Sequence, residues 1–362
     1  MDDPERRARL RLSRTHRVGP VGFAQLIARF GTAAAALEGL PMLAARGGGK
    51  PIEPADPRRI DEEIRRVAKA GARHCLIGDP DYPALLAEAD GAPPVLIVRG
   101  NTALLDRPSV AMVGARNASA AACRFARGLA HELGQAGITI VSGLARGIDT
   151  AAHMGSIDSG TVGVIASGID IAFPPENEAL QARIGEEGLL IAEQPPGTEP
   201  LARFFPQRNR IIAWAALGTV VVEAAPRSGS LITARLAGEA GREVMAVPGS
   251  PLDPRAQGCN ALIRDGAILI QTAADVMEQV RPIDLRALRS PAAAWGAPPP
   301  EDASDRERTA ITALLGPVPV AIDELIRQSG LAPAVVQTVL LELELAGRLD
   351  RHAGARVSLG MP

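Results

Sequence analysis

Six short apolar runs between residues 108 and 250 constrain the fold of this chain more than any other feature. Each run is followed by a small or polar turn and then by a segment whose apolar residues have helical spacing. Runs without an alternating polar face are typical of strands that are buried on both faces of a parallel sheet. We therefore predict an α/β fold with a doubly wound sheet. Its predicted strands are Ser109–Val113, Ile138–Val141, Thr161–Ile165, Leu189–Ile191, Thr219–Val222 and Val244–Val247.

The turn after the first run combines a glycine with an arginine. Gly114 permits close approach of the backbone to a ligand, and Arg116 precedes a helix that Asn117 or Ser119 can cap. A doubly wound sheet binds ligands at the carboxyl ends of its strands, and a helix N-terminus attracts anions. We therefore predict that this turn binds an anion. It lacks the G-x-G-x-x-G pattern of dinucleotide sites.

The turn after the second run is rich in hydrogen-bond donors. Ser142 and Gly143 offer a hydroxyl and a backbone nest, and Arg146 adds a positive charge. Asp149 either caps the next helix or orients a basic neighbour. His153 has no serine or cysteine in a partner motif, which favours a structural role. This turn is predicted to bind an anion beside the first.

Two arginines occur in the first turn of the predicted fifth helix. Arg208 and Arg210 flank Asn209 at a position where cations oppose the helix dipole. A sequence that tolerates this cost favours anion binding. The alternative is an ion pair with Glu193 or Glu199 for one of the two arginines.

A third donor-rich turn follows the fifth run. Ser228, Gly229 and Ser230 precede the next helix, and Glu223 either carries chemistry or supports an arginine. We expect these turns to meet at one edge of the sheet. The sequence pattern contains no metal cluster, no nucleophile with its base and no paired carboxylates. It therefore predicts a phosphate-binding site without catalytic machinery, metal or cofactor.

The charge distribution favours a local anion site over a broad one. The 362 residues carry a formal net charge of −2, and residues 108–250 carry 11 Lys and Arg against 13 Asp and Glu. Cys75, Cys123 and Cys259 form neither a metal pattern nor a disulfide framework, which favours a reduced, cytoplasmic compartment. No apolar run approaches about 18 residues, so no membrane span is predicted.

Composition divides the chain into four predicted parts. Residues 1–78 form a helical module, residues 79–285 the core, residues 286–303 a linker rich in proline and alanine, and residues 304–362 a winged-helix-like module. The turn at residues 17–22 resembles the turns of helix-hairpin-helix and sterile-alpha-motif modules. It either offers N–H groups to a phosphate or simply joins two helices.

The helix in the recognition position of the winged helix does not favour reading of duplex DNA. Residues 332–346 contain no Lys or Arg and include Glu342 and Glu344. A protein that reads a duplex needs positive charge to neutralise phosphates. We therefore favour a protein-contact or vestigial role for this module.

Seven motifs, in order, resemble the DNA-processing protein A family, also called Smf. The resemblance covers the core from about residue 79 to 280 and is weaker at both ends. The motifs are V-G-A-R (113–116), S-G-L-A-R-G-I-D (142–149), F-P-Q-R-N-R-I-I (205–212), V-V-E-A (221–224), S-G-S-L-I-T-A (228–234), G-R-E-V (241–244) and V-P-G (247–249).

The resemblance implies an extended Rossmann-like fold that binds single-stranded DNA and is not an enzyme. It also implies a homodimer that loads the RecA recombinase onto incoming DNA during natural transformation, and the segment 262–270 is our candidate dimer surface. Gln207 replaces a usual basic residue of the family, and we expect Trp214 to pack in the core. The family's phosphate-pocket positions correspond here to Arg116, Ser142, Gly143, Arg146, Arg208 and Asn209, and less closely to Ser228 and Ser230.

Two alternatives remain open. One is a nucleotide-binding enzyme of the lysine-decarboxylase-like phosphoribohydrolase group, although its P-G-G-x-G-T-x-x-E signature is absent after Glu223. The other is a nucleotide-sensing scaffold whose end modules contact proteins. Salt-sensitive preference for single-stranded over duplex DNA separates the mediator from both.

Overall fold

The computed structural model describes residues 3–280, 302–352 and 354–360. Apart from residues 302 and 303, the predicted linker lies outside the described residues. The chain forms two compact units, of which one joins Met1–Glu62 with Ala292–Pro362 and the other is Glu63–Pro291. The winged-helix-like module therefore shares a unit with the N-terminal helices, whereas the sequence analysis treats the two as separate modules.

Four helices precede the sheet. Gly19 and Pro20 start the second, and Thr32 caps the third by accepting from the Ala35 N–H at 3.2 Å. The helices are α1 (Pro4–Ser13), α2 (Pro20–Phe30), α3 (Ala33–Arg46) and α4 (Pro57–Lys69). No single helix among the described residues has both the length and the apolar composition to cross a membrane. Helices α2 and α3 meet these two criteria only when they are taken together, and a bend of 106° separates them.

The second unit contains nine strands. All six runs that were predicted as strands are strands in the structure. The strands are β1 (Arg73–Leu76), β2 (Val95–Gly100), β3 (Ser109–Gly114), β4 (Thr139–Ser142), β5 (Thr161–Ile165), β6 (Leu189–Ala192), β7 (Gly218–Val222), β8 (Glu243–Ala246) and β9 (Ile268–Leu269).

These strands form one sheet in the order β1-β2-β6-β5-β4-β3-β7-β8-β9. The chain winds outward from β3 to β6 and then returns to β7 on the other side of β3. The seven strands β3 to β9 are all parallel to their neighbours of this group. At one end of the sheet β2 pairs antiparallel with β6, and β1 pairs antiparallel with β2. The predicted doubly wound sheet is therefore confirmed.

Both faces of the central strand are buried, which explains its unbroken apolar sequence. Val110 and Met112 pack on one side of the sheet, and Ala111 and Val113 pack on the other. A strand side chain alternates between faces, so burial of consecutive residues requires helices on both sides. The covering helices of this unit are α5 (Ala84–Ala87), α6 (Ala120–Gln135), α7 (Ile148–Ser156), α8 (Glu178–Glu187), α9 (Phe204–Trp214), α10 (Gly229–Glu239), α11 (Gln257–Arg264) and α12 (Ala273–Gln279).

The C-terminal elements of the first unit are three helices and a three-stranded sheet. A capping box of Ser304 and Glu307 starts the first of these helices. The predicted winged-helix-like fold of this module is confirmed. The elements are α13 (Asp305–Leu314), β10 (Val320–Ala321), α14 (Ile322–Ser329), α15 (Pro333–Leu345), β11 (Leu349–His352) and β12 (Arg356–Leu359).

Candidate functional site

A cavity of about 240 Å³ lies at the carboxyl ends of β3, β4 and β5. The turns after these strands form one side of it, and the loop before α9 and the first turns of α9 form the other. The members of its lining that bear on binding are Arg116, Asn117, Gly143, Arg146, Ser167, Phe173, Phe205 and Arg208. Four of the eleven predicted site residues are in this set, namely Arg116, Gly143, Arg146 and Arg208.

An aromatic pair, which the sequence analysis did not predict, forms part of the cavity wall. The rings of Phe173 and Phe205 are 5.8 Å apart between centroids and tilted by 57°, and Phe173 is 41% exposed. The guanidinium carbon of Arg116 lies 5.5 Å from the centroid of the Phe205 ring. Positive charge and an accessible aromatic face therefore lie side by side.

The two exposed arginines of the cavity are available to a ligand. Arg116 has no carboxylate within ion-pair distance among the described residues. Arg146 contacts Glu176 at 2.6 Å, and both side chains of this pair are more than half exposed. Exposed pairs of this kind are worth at most about 1 kcal/mol. An anion can therefore displace Glu176 at little cost.

Ser119 and Glu223 fix the turn that carries Arg116. Ser119 caps α6 by accepting from the Ala122 N–H at 3.1 Å, as predicted. Its own N–H and hydroxyl donate to the Glu223 carboxylate at 2.8 and 2.6 Å. Glu223 has a φ of 52°, which bends the chain after β7. Its carboxylate is thus used to hold a serine rather than an arginine.

The turns after β3 and β4 pack against each other. The Ile148 N–H donates to the Ala115 carbonyl at 3.2 Å. Gly147 has a φ of 74°, and a Cβ atom there would lie 2.2 Å from the same carbonyl oxygen. Only glycine meets both requirements, so Gly147 sets the spacing between the arginine-bearing turns.

A buried arginine and a buried aspartate close to it support the cavity floor. The Arg208 side chain is only 6% exposed and donates to the carbonyl oxygens of Gly143 and Val164. Asp149 accepts from the N–H groups of Gly143 at 3.2 Å and Ala145 at 3.3 Å. Burial lowers the pKa of Arg208 to about 10, a change that the nearby Asp149 carboxylate opposes. Arg208 therefore remains charged at neutral pH. Its Nη1 donates inside the protein, whereas its buried Nε has no hydrogen-bond partner among the described residues.

Arg210 and Asn209 point to other partners. Arg210 donates to Glu193 and, at 2.6 Å, to the Gly91 carbonyl, and its guanidinium lies over Trp214. The ion pair that the sequence analysis gave as an alternative is thus present for Arg210. Asn209 donates to the Gly229 carbonyl at 3.5 Å. Neither residue lines the cavity.

Trp214 and His153 have structural positions. The Trp214 indole packs against the core and donates to the Leu236 carbonyl at 3.1 Å, as expected. His153 is fully buried with Nδ1 2.7 Å from the Thr161 hydroxyl, and burial lowers its pKa to about 3. His153 is therefore neutral in the folded protein.

The remaining predicted site residues lie outside the cavity lining. Ser142 is buried and donates to the Met112 carbonyl at 2.6 Å. At Gly114 a Cβ atom would lie 1.9 Å from the Val222 carbonyl oxygen, so this glycine serves strand packing. The segment 228–230 follows β7, and Ser228 caps α10 there. In the sheet, β7 lies next to β3 on the side away from β4 and β5.

Three family models match the chain in order along its sequence. The model described as DNA recombination-mediator protein A matches residues 73–281, more than half of the chain. A model described as a DprA-like N-terminal HHH domain matches residues 3–65. A third, described as a DprA winged helix domain, matches residues 296–355.

Known proteins with the same description are similar to this chain. DNA processing protein DprA of Streptococcus pneumoniae is 45% identical over 207 residues, which are 56% of this chain and 72% of that protein. The X-ray structure of DNA processing protein A from Streptococcus pneumoniae has a TM-score of 0.59 at 40% identity and covers 63% of this chain and 79% of its own. A structure of DNA processing protein A from Helicobacter pylori, reported for its single-stranded DNA binding mode, has a TM-score of 0.53 at 26% identity and covers 58% of this chain and 95% of its own.

Proposed function

The chain belongs to the DNA recombination-mediator protein A family, also called DprA or Smf, and on this premise we propose that it binds single-stranded DNA in the cavity beside Arg116. The observation that carries this proposal is the position of an exposed arginine, without an ion-pair partner among the described residues, over the partly exposed ring of Phe205. A nucleotide needs both partners, since its phosphate pairs with a cation and its base stacks on an aromatic face.

The aromatic wall favours a single strand over a duplex. Bases in a duplex are stacked on each other and cannot offer a face to Phe173 or Phe205. The cavity volume of about 240 Å³ is below the roughly 300–1,000 Å³ of typical small-molecule pockets, so it suits one base rather than a whole dinucleotide. A bound strand would therefore place one base in the cavity and its neighbouring phosphates against Arg116 and Arg146.

The lining favours binding over catalysis. Among the described residues that line the cavity there is no carboxylate, cysteine or histidine. Glu223, which precedes the stretch where the phosphoribohydrolase signature is absent, is bonded to Ser119. A residue held in this way is not free to act as a general base. We therefore propose a recombination mediator that is not an enzyme.

We further propose that the bound strand is handed to the RecA recombinase during natural transformation, in the cytoplasm. This role rests on family membership, and the three cysteines, which form no disulfide among the described residues, agree with a reducing compartment. A loading assay tests it: RecA filament formation on a single strand should be faster with the wild-type protein than with Arg116→Ala. Equal rates would separate DNA binding from RecA loading.

A homodimer is the assembly that we propose for this activity. The edge strand β9 exposes 46% of Leu269 and lies in the segment 262–270. Leu269→Asp should shift the protein towards monomers in sedimentation velocity, because it places a charge on an apolar edge. Val318→Asp, at a position that is 75% exposed in the first unit, is the matched control and should leave the assembly unchanged.

Fluorescence anisotropy with labelled oligo-dT and a duplex at two salt concentrations tests the central proposal. Preferential binding of the single strand that weakens with salt supports it. Equal weak binding of both forms would contradict it. Titration with nucleoside monophosphates under the same conditions would then test the nucleotide enzyme and the nucleotide sensor.

A further inference from the structure

Helix α15 is buried on two sides. Its first buried side is part of the winged-helix core and consists of Val336, Val339, Leu340 and Leu343. Its second buried side consists of Thr338, Leu341, Glu342 and Leu345, with exposed fractions of 3, 2, 1 and 0%. Spacings of three and four residues place this second set along one stripe of the helix. A helix that reads duplex DNA must leave such a face open to enter the major groove.

The N-terminal helices cover this second stripe. A Cβ atom at Gly22 of α2 would lie 3.6 Å from Leu341 Cδ1. One turn further along α2, the Gln25 side chain donates to the Gln337 side-chain oxygen at 2.9 Å. The stripe therefore has a partner made of polypeptide, and that partner belongs to the same chain.

The contact is closest at the end of α3. A Cβ atom at Gly47 would lie 2.0 Å from the Glu342 carbonyl oxygen and 2.8 Å from Ala346 Cβ. The Gly47 carbonyl accepts from Arg348 at 3.1 Å. Gly47 has ordinary right-handed dihedral angles, with φ −70° and ψ 0°, which any residue adopts. Contact with α15, rather than backbone conformation, therefore requires glycine here.

The two acidic residues of α15 are also accommodated within this unit. Glu342 accepts from Arg308 Nε at 2.8 Å and Nη2 at 3.0 Å, which neutralises its buried charge. Glu344 bonds to Arg351 at 2.7 Å, and its carboxylate lies 3.8 Å from a Cβ atom built at Gly19. Gly19 caps the start of α2, where a helix-hairpin-helix element would receive a phosphate. A carboxylate of the chain itself therefore lies at this turn.

We propose that α15 is a protein-binding element whose partner is the chain's own N-terminal helical module, and that the C-terminal module does not read duplex DNA with this helix. The same contact covers the turn between α1 and α2. The two elements that resemble duplex-binding modules thus bind each other. This inference concerns the first unit only, so it stands or fails independently of the single-strand site.

Cleavage of the intact protein tests the contact. A site for a specific protease is inserted after residue 291, outside the described part of the chain, and the purified protein is cut and passed over a size-exclusion column. We expect the fragment 292–362 to elute together with the rest. Separation of the wild-type fragments at micromolar concentration would overturn the proposal.

A matched pair of glycine substitutions gives the control. Gly47→Ala adds a methyl group at the contact and should release the cut fragment, or weaken its retention at least tenfold. Gly316→Ala makes the same change in the same unit. A Cβ atom at Gly316 would have no described atom within 4 Å, so this variant should behave as wild type. Circular dichroism of the uncut variants verifies folding. Equal retention of both variants would count against the contact.

Hydrogen exchange of the uncut protein tests the second half of the proposal. The amides of α15 should exchange at the same rates with and without saturating duplex DNA. In Gly47→Ala they should exchange faster. Protection of α15 by the duplex in the wild-type protein would show that the helix reads DNA after all.

Discussion

The guanidinium carbon of Arg116 lies 5.5 Å above the ring centroid of Phe205, on the cavity wall of the second unit. The ring holds the guanidinium in place through a cation–π contact while leaving its N–H groups free for a phosphate. Arg116→Ala should therefore lower the affinity for every single-strand sequence and reduce the slope of log K against log salt by about 0.7–1 unit. Anisotropy titrations at four salt concentrations measure both effects.

Arg235→Ala is the control for Arg116→Ala. Arg235 is exposed on α10 and already paired with Glu239, so its removal should leave the slope within error of wild type. Arg146→Ala should resemble Arg116→Ala. Unchanged slopes in both cavity variants would remove these two arginines from the DNA site.

Phe205 should contribute through stacking rather than charge. Phe205→Leu keeps an apolar side chain but removes the aromatic face, and we expect a loss of about 1–3 kcal/mol, which is roughly 5- to 150-fold in affinity. The salt slope should not change, because no phosphate contact is lost. Phe204→Leu changes the neighbouring ring, which lies beneath Arg203 and outside the cavity lining, and should bind as wild type. A slope that falls in Phe205→Leu would indicate that the ring acts only by positioning Arg116.

Arg208 should matter for folding more than for direct contact with DNA. Arg208→Gln removes the positive charge near the buried Asp149 carboxylate, and leaving a buried charge without its compensating group costs about 3–5 kcal/mol. Urea unfolding followed by circular dichroism measures the loss. Arg146→Gln, at an exposed pair, should change stability by less than about 1 kcal/mol. Normal stability with lost DNA binding in Arg208→Gln would instead make Arg208 a ligand of the phosphate.

His153 should make the protein less stable in mild acid. Burial lowers its folded-state pKa to about 3, whereas an unfolded histidine has a pKa of about 6.5. The unfolded chain therefore binds the proton more tightly. The contribution of His153 to the free energy of unfolding is complete above about pH 6.5 and is lost as the pH falls towards 3. At pH 5 this loss is about 2 kcal/mol. Urea unfolding of the wild type and His153→Gln at pH 7 and pH 5 measures it.

In His153→Gln the free energy of unfolding should differ less between pH 7 and pH 5 than in the wild type, whatever the stability of the variant at pH 7. His131→Gln, on the exposed side of α6, should keep the wild-type difference. If His153→Gln and His131→Gln lose the same stability on acidification, His153 is not the group responsible.

The sequence predicted the central sheet well because its strands are buried on both faces. Burial of consecutive residues such as Ala111 and Met112 leaves an apolar run that no other element of this length explains. β1 was not predicted, since it begins at an exposed arginine, Arg73, and reads R-H-C-L. In the folded chain β1 is a strand because it pairs antiparallel with β2.

The cavity was predicted only in part, because donor-rich turns do not reveal which of their groups are already used. Ser142 and Arg210 have the right chemistry, but Met112 and Glu193 occupy their donors. Those partners come from elsewhere in the chain, and spacing cannot show them. The aromatic wall was missed for a related reason, since Phe173 and Phe205 meet only in the folded chain.

The contact between Gln25 and Gln337 joins positions 312 residues apart in the chain. A ribosome that adds about 5–20 residues per second needs roughly 15–60 s to travel that distance. Throughout this interval α2 and α3 have emerged while the helix that covers them does not yet exist. Gly22 and Gly47, which lie against this helix in the finished protein, therefore have no such partner until the last part of the polypeptide is made. The order of synthesis therefore leaves this helical surface without its covering helix for most of the time that the chain is being made.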